Sequence, residues 1–380
     1  MWWLGIASAL AWDLLGPEGQ PTERTLPASA LFAPVTPDWG GQAISVDPEA
    51  LAAVARDALR YIRARRLADP LAVQPGMLAE LGVTMRDVED TLAYIAQVAE
   101  TEPDRLSEPD FWSREFTLYA WRSDQEGARE RGMSLAADRI RVTRYLVYQI
   151  SGSPERTEVH RHALYAVPRD EAGLSLEDAD ARAEELTRFQ HTRAEVLGGV
   201  FEPGGAAEGA SEPLVWLSRE GVYESLMQGT VEVQLPDGQR RMFNVDRPNG
   251  MAYDPSIRSP GQQARYWYFA EVDAVMGWGA ERAHKVRLAP GAAVAGDVYN
   301  LGLGKLVALE RHGTLRFAVL ADTGGAFQPN LFQLDLFTGA FPSRAAFQEA
   351  TWQSGGPSRV VILVRKRRFA PDPEGAQPAP

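Results

Sequence analysis

Two hairpin signatures constrain this fold more than any other feature of the chain. VEVQL leads through a turn at Asp237 and Gly238 into RRMFNV, and KLVALE leads through Arg311, His312 and Gly313 into TLRFAVLA. In each, an extended run meets a tight turn and reverses, which is antiparallel pairing. IRVTRYLVYQI, before the polar stretch SGSPERTE, and RVVILVRK near the C-terminus add further β-rich runs. Short strands spaced at turn signals point to barrels, not to a parallel βαβ sheet. The expected fold class is mainly β with helical additions.

Helical signals cluster before and between these runs. Asp47 and Pro48 form an N-cap and an N1 proline ahead of a stripe of Leu51, Val54, Ala55, Ala58, Leu59 and Ile62. Thr84 caps a second stripe of Val88, Leu92, Ile95 and Ala99. Both stripes read as packing surfaces. Residues 175 to 199 are expected to be helical, with Ser175 as a cap and Thr192 with Glu195 as a capping box.

With 380 residues and 45% apolar content, the chain can bury a large core divided into two or three units. A net charge of −12 leaves no broad basic surface for nucleic acid, and the only dense basic run is Arg365 to Arg368. The absence of cysteine excludes disulfides, thiolate metal sites, a cysteine nucleophile and attachment of lipid to an N-terminal cysteine. His160 and His162 make an HxH pair with no third ligand at a supporting spacing, so no metal is expected. No GxSxG, GxGxxG or GxxxxGK[ST] occurs, which disfavours serine-hydrolase and nucleotide chemistry, and no cofactor is expected. The opening MWWLGIASALAWDLLG is apolar like a secretory leader but has no Lys or Arg before its apolar stretch. Two readings stay open there: export, or packing of Trp2, Trp3 and Leu4 on the domain. Nothing else approaches the length of a membrane-spanning helix, and the Pro-rich tail APDPEGAQPAP reads as disordered.

The chemistry sits on aspartates. Asp322 ends an apolar strand and precedes Thr323, Gly324 and Gly325, where backbone can approach a ligand closely. Asp335 lies inside LFQLDLF, on the strand face opposite Leu334 and Leu336. Asp297 in AGDVYNLGLGK is a third carboxylate of the same C-terminal β unit. Most strand aspartates are solvated surface charges. Carboxylates held close together and partly buried, however, raise one pKa so that a proton can be donated near neutrality, as glycosidic cleavage requires.

The same segments resemble the membrane-bound lytic transglycosylase A (MltA) family with its C-terminal 3D domain, named for three aspartates. VTRYLVYQISGSPERT, HALYAVP, HTRAEVLGGV, PLVWLSREGVYESLMQGTVEVQLPDG, RPNGMAY, ARYWYFAEV and ADTGGAFQPNLFQLDLFTG occur in the family's order, preceded by DFWSREFTLYAW. The resemblance covers roughly residues 110 to 366. It implies a double-psi β-barrel built from two separated stretches, with a second β-barrel-like domain inserted and a glycan groove between them. The implied division is a signal segment over 1–23, helices and the first barrel stretch over 24–147, and the inserted domain over 148–264. The 3D domain follows over 265–368, and the tail over 369–380.

The resemblance implies cleavage of peptidoglycan between N-acetylmuramic acid and N-acetylglucosamine by one carboxyl, in the periplasm and in association with the outer membrane. Asp335 matches the acid that then turns base, and Asp322 the supporting carboxylate. Asp335 would protonate the bridging oxygen and then take the proton of the muramic C6 hydroxyl as it closes on its own anomeric carbon, leaving a 1,6-anhydro sugar. Tethering the nucleophile relaxes the two-carboxylate requirement of ordinary glycosidases. Asp297, Thr143, Tyr145, Gln228, Gly229, Asn249, Tyr253, Gly324 and Gly325 match the family's groove lining. Tyr145 and Tyr253 also read as half-buried barrel residues, and Asn249 as a turn residue. Trp216, Trp267 and Trp278 read either as sugar-stacking platforms or as core. The family's TGYY-type motif is TRYL here, with Arg144 in the glycine place and Leu146 in that of the second tyrosine, and Pro329 lies in a longer loop between Asp322 and Asp335. Two alternatives stay open: a catalytically impaired peptidoglycan-binding protein, and a hydrolase using both aspartates and water.

Overall fold

In the computed structural model, the residues described are 26–36, 39–252, 254, 256, 257, 259, 262–324, 327, 329–351 and 355–367. The expected leader and tail, Tyr253 and Gly325 lie outside them. The strands are β1 (Phe32–Val35), β2 (Ala43–Ser45), β3 (Phe116–Trp121), β4 (Ile140–Ser153), β5 (His162–Tyr165), β6 (Pro213–Leu217) and β7 (Thr230–Gln234). They continue with β8 (Arg240–Pro248), β9 (Trp267–Val272), β10 (Ala293–Ala295), β11 (Leu306–Arg311), β12 (Thr314–Asp322), β13 (Gln333–Phe341) and β14 (Gly356–Arg365).

Both hairpins form where the turn residues place them, as β7–β8 and β11–β12. His312 and Gly313 have φ of 49° and 72°, the pair of positive values that a tight two-residue turn needs to follow the strand twist. The sheet also contains parallel pairs that hairpin spacing did not suggest: β10 with β12, β13 with β4, β4 with β7 and β2 with β12. These join strands distant in sequence, which turn signals cannot report. The sheet-rich character is as expected, with helix contributing in similar measure to strand.

Six strands close into a ring. The order β14–β11–β12–β10–β13–β4 is completed by pairing of Gly356 to Ser358 with Val142 to Ile140. β4 is 14 residues long: its first half belongs to this ring, while Tyr148 to Ser151 pair with β7 and Gly152 and Ser153 with β6. It is the seam between two apolar clusters. One draws on residues 28–147 and 275–364, the other on residues 163–269.

The helices Pro48–Arg65 and Met85–Thr101 cover the first cluster with the expected stripes. Asp47 accepts from the Ala50 N–H, and Thr84 shares a capping box with Asp87. A Cβ at Gly304 would lie 2.8–2.9 Å from Ile62 and Leu92, so this glycine sets how closely the start of β11 meets both helices. Residues 175 to 199 do not form one helix. They break into turns at Leu176–Asp180, Thr187–Phe189 and Arg193–Leu197, with the expected caps at Ser175 and Thr192. Between the capped segments the Arg188 side chain is drawn inward to Glu171, Asp180 and the Pro248 carbonyl.

Candidate active site

Strand register brings the aspartates together. Ala295 on β10 pairs with Asp322 on one side and Asp335 on the other, and Asp335 pairs in turn with Thr143 on β4. Register partners present their side chains to one face, so Asp322, Asp335 and Thr143 form a row across four strands, with Tyr145 two residues further along β4 on the same face. The two aspartates stand two inter-strand steps apart, about 10 Å between Cα atoms.

Asp335 is 4% exposed, and Asp322 2%. Burial pushes the Asp335 carboxyl up to about 6, against the hydrogen bond from Gln333 and the charge of Arg141, which lower it. Burial likewise pushes Asp322 up to about 8; the Asp335 charge adds to this, while the Thr323 and Tyr145 hydrogen bonds and Lys285 oppose it. The Tyr145 hydroxyl donates to Asp322 Oδ2 at 3.0 Å. Gln333 Nε2 donates to Asp335 Oδ1 and to Thr143 Oγ1, both at 3.0 Å. The site therefore contains two carboxyls with unequal affinities for the proton, each held by a different neutral donor.

Arg144 lies on the opposite face of β4, paired with Leu336. Its guanidinium binds the Thr351 carbonyl and hydroxyl and sits over the Phe347 ring. It anchors the helix Arg344–Thr351 and does not occupy the space before Asp335.

Lys285 was not evident from sequence. It is carried by a small hairpin in which Met276 pairs with Arg287 and Trp278 bonds to the Ala321 carbonyl beside Asp322. Its ammonium donates to Asn244 Oδ1 and to the Val245 carbonyl on β8, both at 2.6 Å, so it ties the first cluster to the second. Burial lowers its pKa to about 8, with Asp246 and Asp322 opposing. It also lines an open cleft of about 780 Å³ whose walls include Asp57, Arg60, Glu271, Asp273, Arg282 and Arg287. Neither aspartate lies on those walls; Lys285 is the link between cleft and row.

The other expected residues are dispersed. Asp297 is fully buried, caps the short helix Val298–Leu301 and accepts from the Asn330 N–H, which fixes the loop between Asp322 and Asp335. Burial raises its pKa, against hydrogen bonds from Asn330 and Asn300. Gly324 is buried and accepts from the Phe327 N–H in that loop. Gln228 ends the helix Arg219–Gln228, and Gly229 closes it with φ of 70° while its carbonyl accepts from Asn244, the partner of Lys285. Asn249 is 1% exposed and bridges the His191 and Ala264 carbonyls to the Tyr266 N–H, as a loop brace in the second cluster. Trp267 and Trp278 are buried, whereas Trp216 is half-buried under Arg156.

No family model and no curated protein matches the sequence. Solved structures do. The chain superposes on a membrane-bound lytic murein transglycosylase from Agrobacterium tumefaciens with a TM-score of 0.56 at 18% identity, covering 88% of this chain and 98% of that one. Against E. coli MltA with bound chitohexaose the TM-score is 0.53 at 17% identity, covering 93% and 99%. Against MltA from Neisseria gonorrhoeae it is 0.51 at 16% identity, covering 96% and 99%. Over nearly its whole length, this chain has the fold of the MltA lytic transglycosylases.

Proposed function

We propose that this chain is a peptidoglycan lytic transglycosylase of the cell envelope, with Asp335 acting first as acid and then as base. The observation that carries the reading is the state of Asp335: a buried carboxyl with its proton affinity raised to about 6, in a fold shared with lytic murein transglycosylases. A carboxyl of that affinity gives up its proton to a bridging oxygen more readily than water does, and its ionised form can recover one from a sugar hydroxyl. At 4% exposure it is dry enough to stay neutral in mildly acid medium. Asp322, steadied by Tyr145, supports it by holding its own proton over a higher pH range. The six-strand ring is read as the double-psi barrel, and the glycan as running along the seam that β4 and Lys285 form between the clusters. Peptidoglycan strands are the proposed partner, and no cofactor enters.

Incubation with murein sacculi and mass spectrometry of the soluble fraction tests this. The expected products carry 1,6-anhydro-muramic ends, and their yield falls as pH rises above about 6, where Asp335 loses its proton. Absence of anhydro products from pH 4 to 8 sinks the proposal. A second reading, hydrolysis by both aspartates and an activated water, draws on the two-strand separation of Asp322 and Asp335. Reducing ends in place of anhydro ends select it.

A further inference from the structure

The surroundings of Asp335 contain a device that neither the motif nor the fold comparison assigns. Gln333 stands two residues before it on β13, on the same face, and its amide is engaged at both ends. Nε2 donates to Asp335 Oδ1 and to Thr143 Oγ1 at 3.0 Å each, while Oε1 accepts from Arg141 Nη1 at 3.4 Å. Arg141 is itself steered by Met133, whose Sδ lies 2.8 Å from the same Nη1, and by the bond of its backbone N–H to the Phe332 carbonyl. A guanidinium has donors only, so it can meet only the oxygen end of the amide, which leaves the nitrogen end facing the carboxyl. A flipped amide would place oxygen against oxygen at Asp335 and nitrogen against the cation at Arg141.

We propose that the Arg141–Gln333 pair is a positioning relay that occupies Asp335 Oδ1 with a fixed donor and thereby assigns Oδ2 as the oxygen that gives and takes the proton. This rests on the reading of Asp335 as the acid. A carboxyl with two equivalent oxygens presents its proton in several orientations. Once Oδ1 is committed to an N–H donor, the proton is carried on Oδ2 and points in one direction, so part of the orientation cost is met before substrate binds. The relay also moderates the acid: a donor on one oxygen and a cation one residue beyond both favour the carboxylate, against burial. The other groups facing Asp335 are Tyr145 and Thr143 from β4 and Asp322 from β12; β10 presents only Ala295.

The test is Gln333→Glu, which exchanges the donor for a carboxylate between Arg141 and Asp335, read by 13C NMR titration of the aspartate side-chain carboxyls. Asp335 is assigned by the resonance missing from Asp335→Asn. The expected result is a rise of about one pH unit or more in the Asp335 midpoint, matched by an equal upward move of the pH limb of sacculus release. Gln333→Met removes the donor without adding charge and is expected to give a smaller rise in the midpoint with a roughly tenfold fall in kcat and little change in KM. Arg141→Met is expected to raise the midpoint in the same direction. A midpoint unchanged within about 0.2 units in all three overturns the relay. If Gln333→Glu fails to fold, the Gln333→Met and Arg141→Met midpoints decide alone. Retention of anhydro product by Asp335→Asn overturns the acid assignment instead, and the NMR midpoints still report whether the relay exists.

Discussion

Glu171 in the second cluster and Asp335 in the ring are both buried carboxyl groups, 3% and 4% exposed, but their partners differ in kind. Glu171 meets two guanidinium groups, Arg188 at 2.6 Å and Arg247 at 2.7 Å, and Arg188 continues to Asp180. Asp335 meets an amide. Two fixed guanidinium groups compensate the Glu171 carboxylate, and truncating either side leaves a charge stranded in apolar surroundings. A carboxyl lodged against a neutral donor, with its cation Arg141 held one side chain further off, keeps a proton above the usual carboxylate range. Burial of an acid thus makes a brace in one region and, on the proposed reading, a reagent in the other; the choice of partner decides which.

The comparison is broken most sharply by exchanging each group for its amide. Asp335→Asn keeps the shape and the Gln333 contact but cannot transfer a proton, and sacculus release is expected to fall about 10²- to 10⁴-fold with the fold intact by circular dichroism. Glu171→Gln is expected to do the reverse. Leaving Arg188 and Arg247 without their anion costs about 3–5 kcal/mol in denaturant unfolding, while turnover per folded molecule stays near wild type. Comparable losses of turnover in both variants would mean that the ring and the second cluster do not divide the work in this way.

Tyr145 tests the supporting carboxyl with a smaller expected effect. Its hydroxyl donates to Asp322 and favours the ionised form there. Tyr145→Phe removes that donor at little cost in volume, so the Asp322 carboxyl loses the hydrogen bond that steadies it. Release is expected to fall about tenfold, the equivalent of one hydrogen bond to a carboxyl, with the change concentrated in kcat. A Tyr145→Phe variant that changes only KM would place the phenol against the glycan instead of behind the acid.

Much of the fold is legible in the sequence itself. Turn residues located the hairpins, caps located both long helices, and the alternation around Asp335 put it opposite Leu334 and Leu336. Strand neighbours remote in sequence were not readable: only the pairing of β10 with both β12 and β13 aligns Asp322 with Asp335. Lys285 and the Arg141–Gln333 pair escaped for the same reason, because each depends on a partner more than 35 residues away. Arg144, in the glycine place of the family's motif, is turned by the strand's alternation to the face opposite Asp335, where its partner is Thr351. The helical reading of residues 175 to 199 holds at its capped segments, Leu176–Asp180 and Arg193–Leu197, but not as a continuous stretch between them, where the buried Arg188 lies.

The smallest expected effect is one of stability, and it separates proton storage from ion pairing by its sign. The folded-state affinity of Asp335 for its proton, raised to about 6, exceeds the ordinary carboxylate value, so the folded chain binds that proton more tightly than the unfolded chain does. Its contribution is therefore full below the ordinary value near 4 and is lost as pH rises through about 6. Asparagine cannot ionise and does not suffer this loss. The Tm of Asp335→Asn minus that of wild type is expected to rise by about 2–4 °C between pH 4 and pH 7, with Asp322 contributing to the difference only through the loss of the Asp335 charge that raises it. Scanning calorimetry or thermal circular dichroism across that range reads it directly. A difference that stays flat with pH would mean that the folded chain holds the Asp335 proton no more tightly than the unfolded chain does.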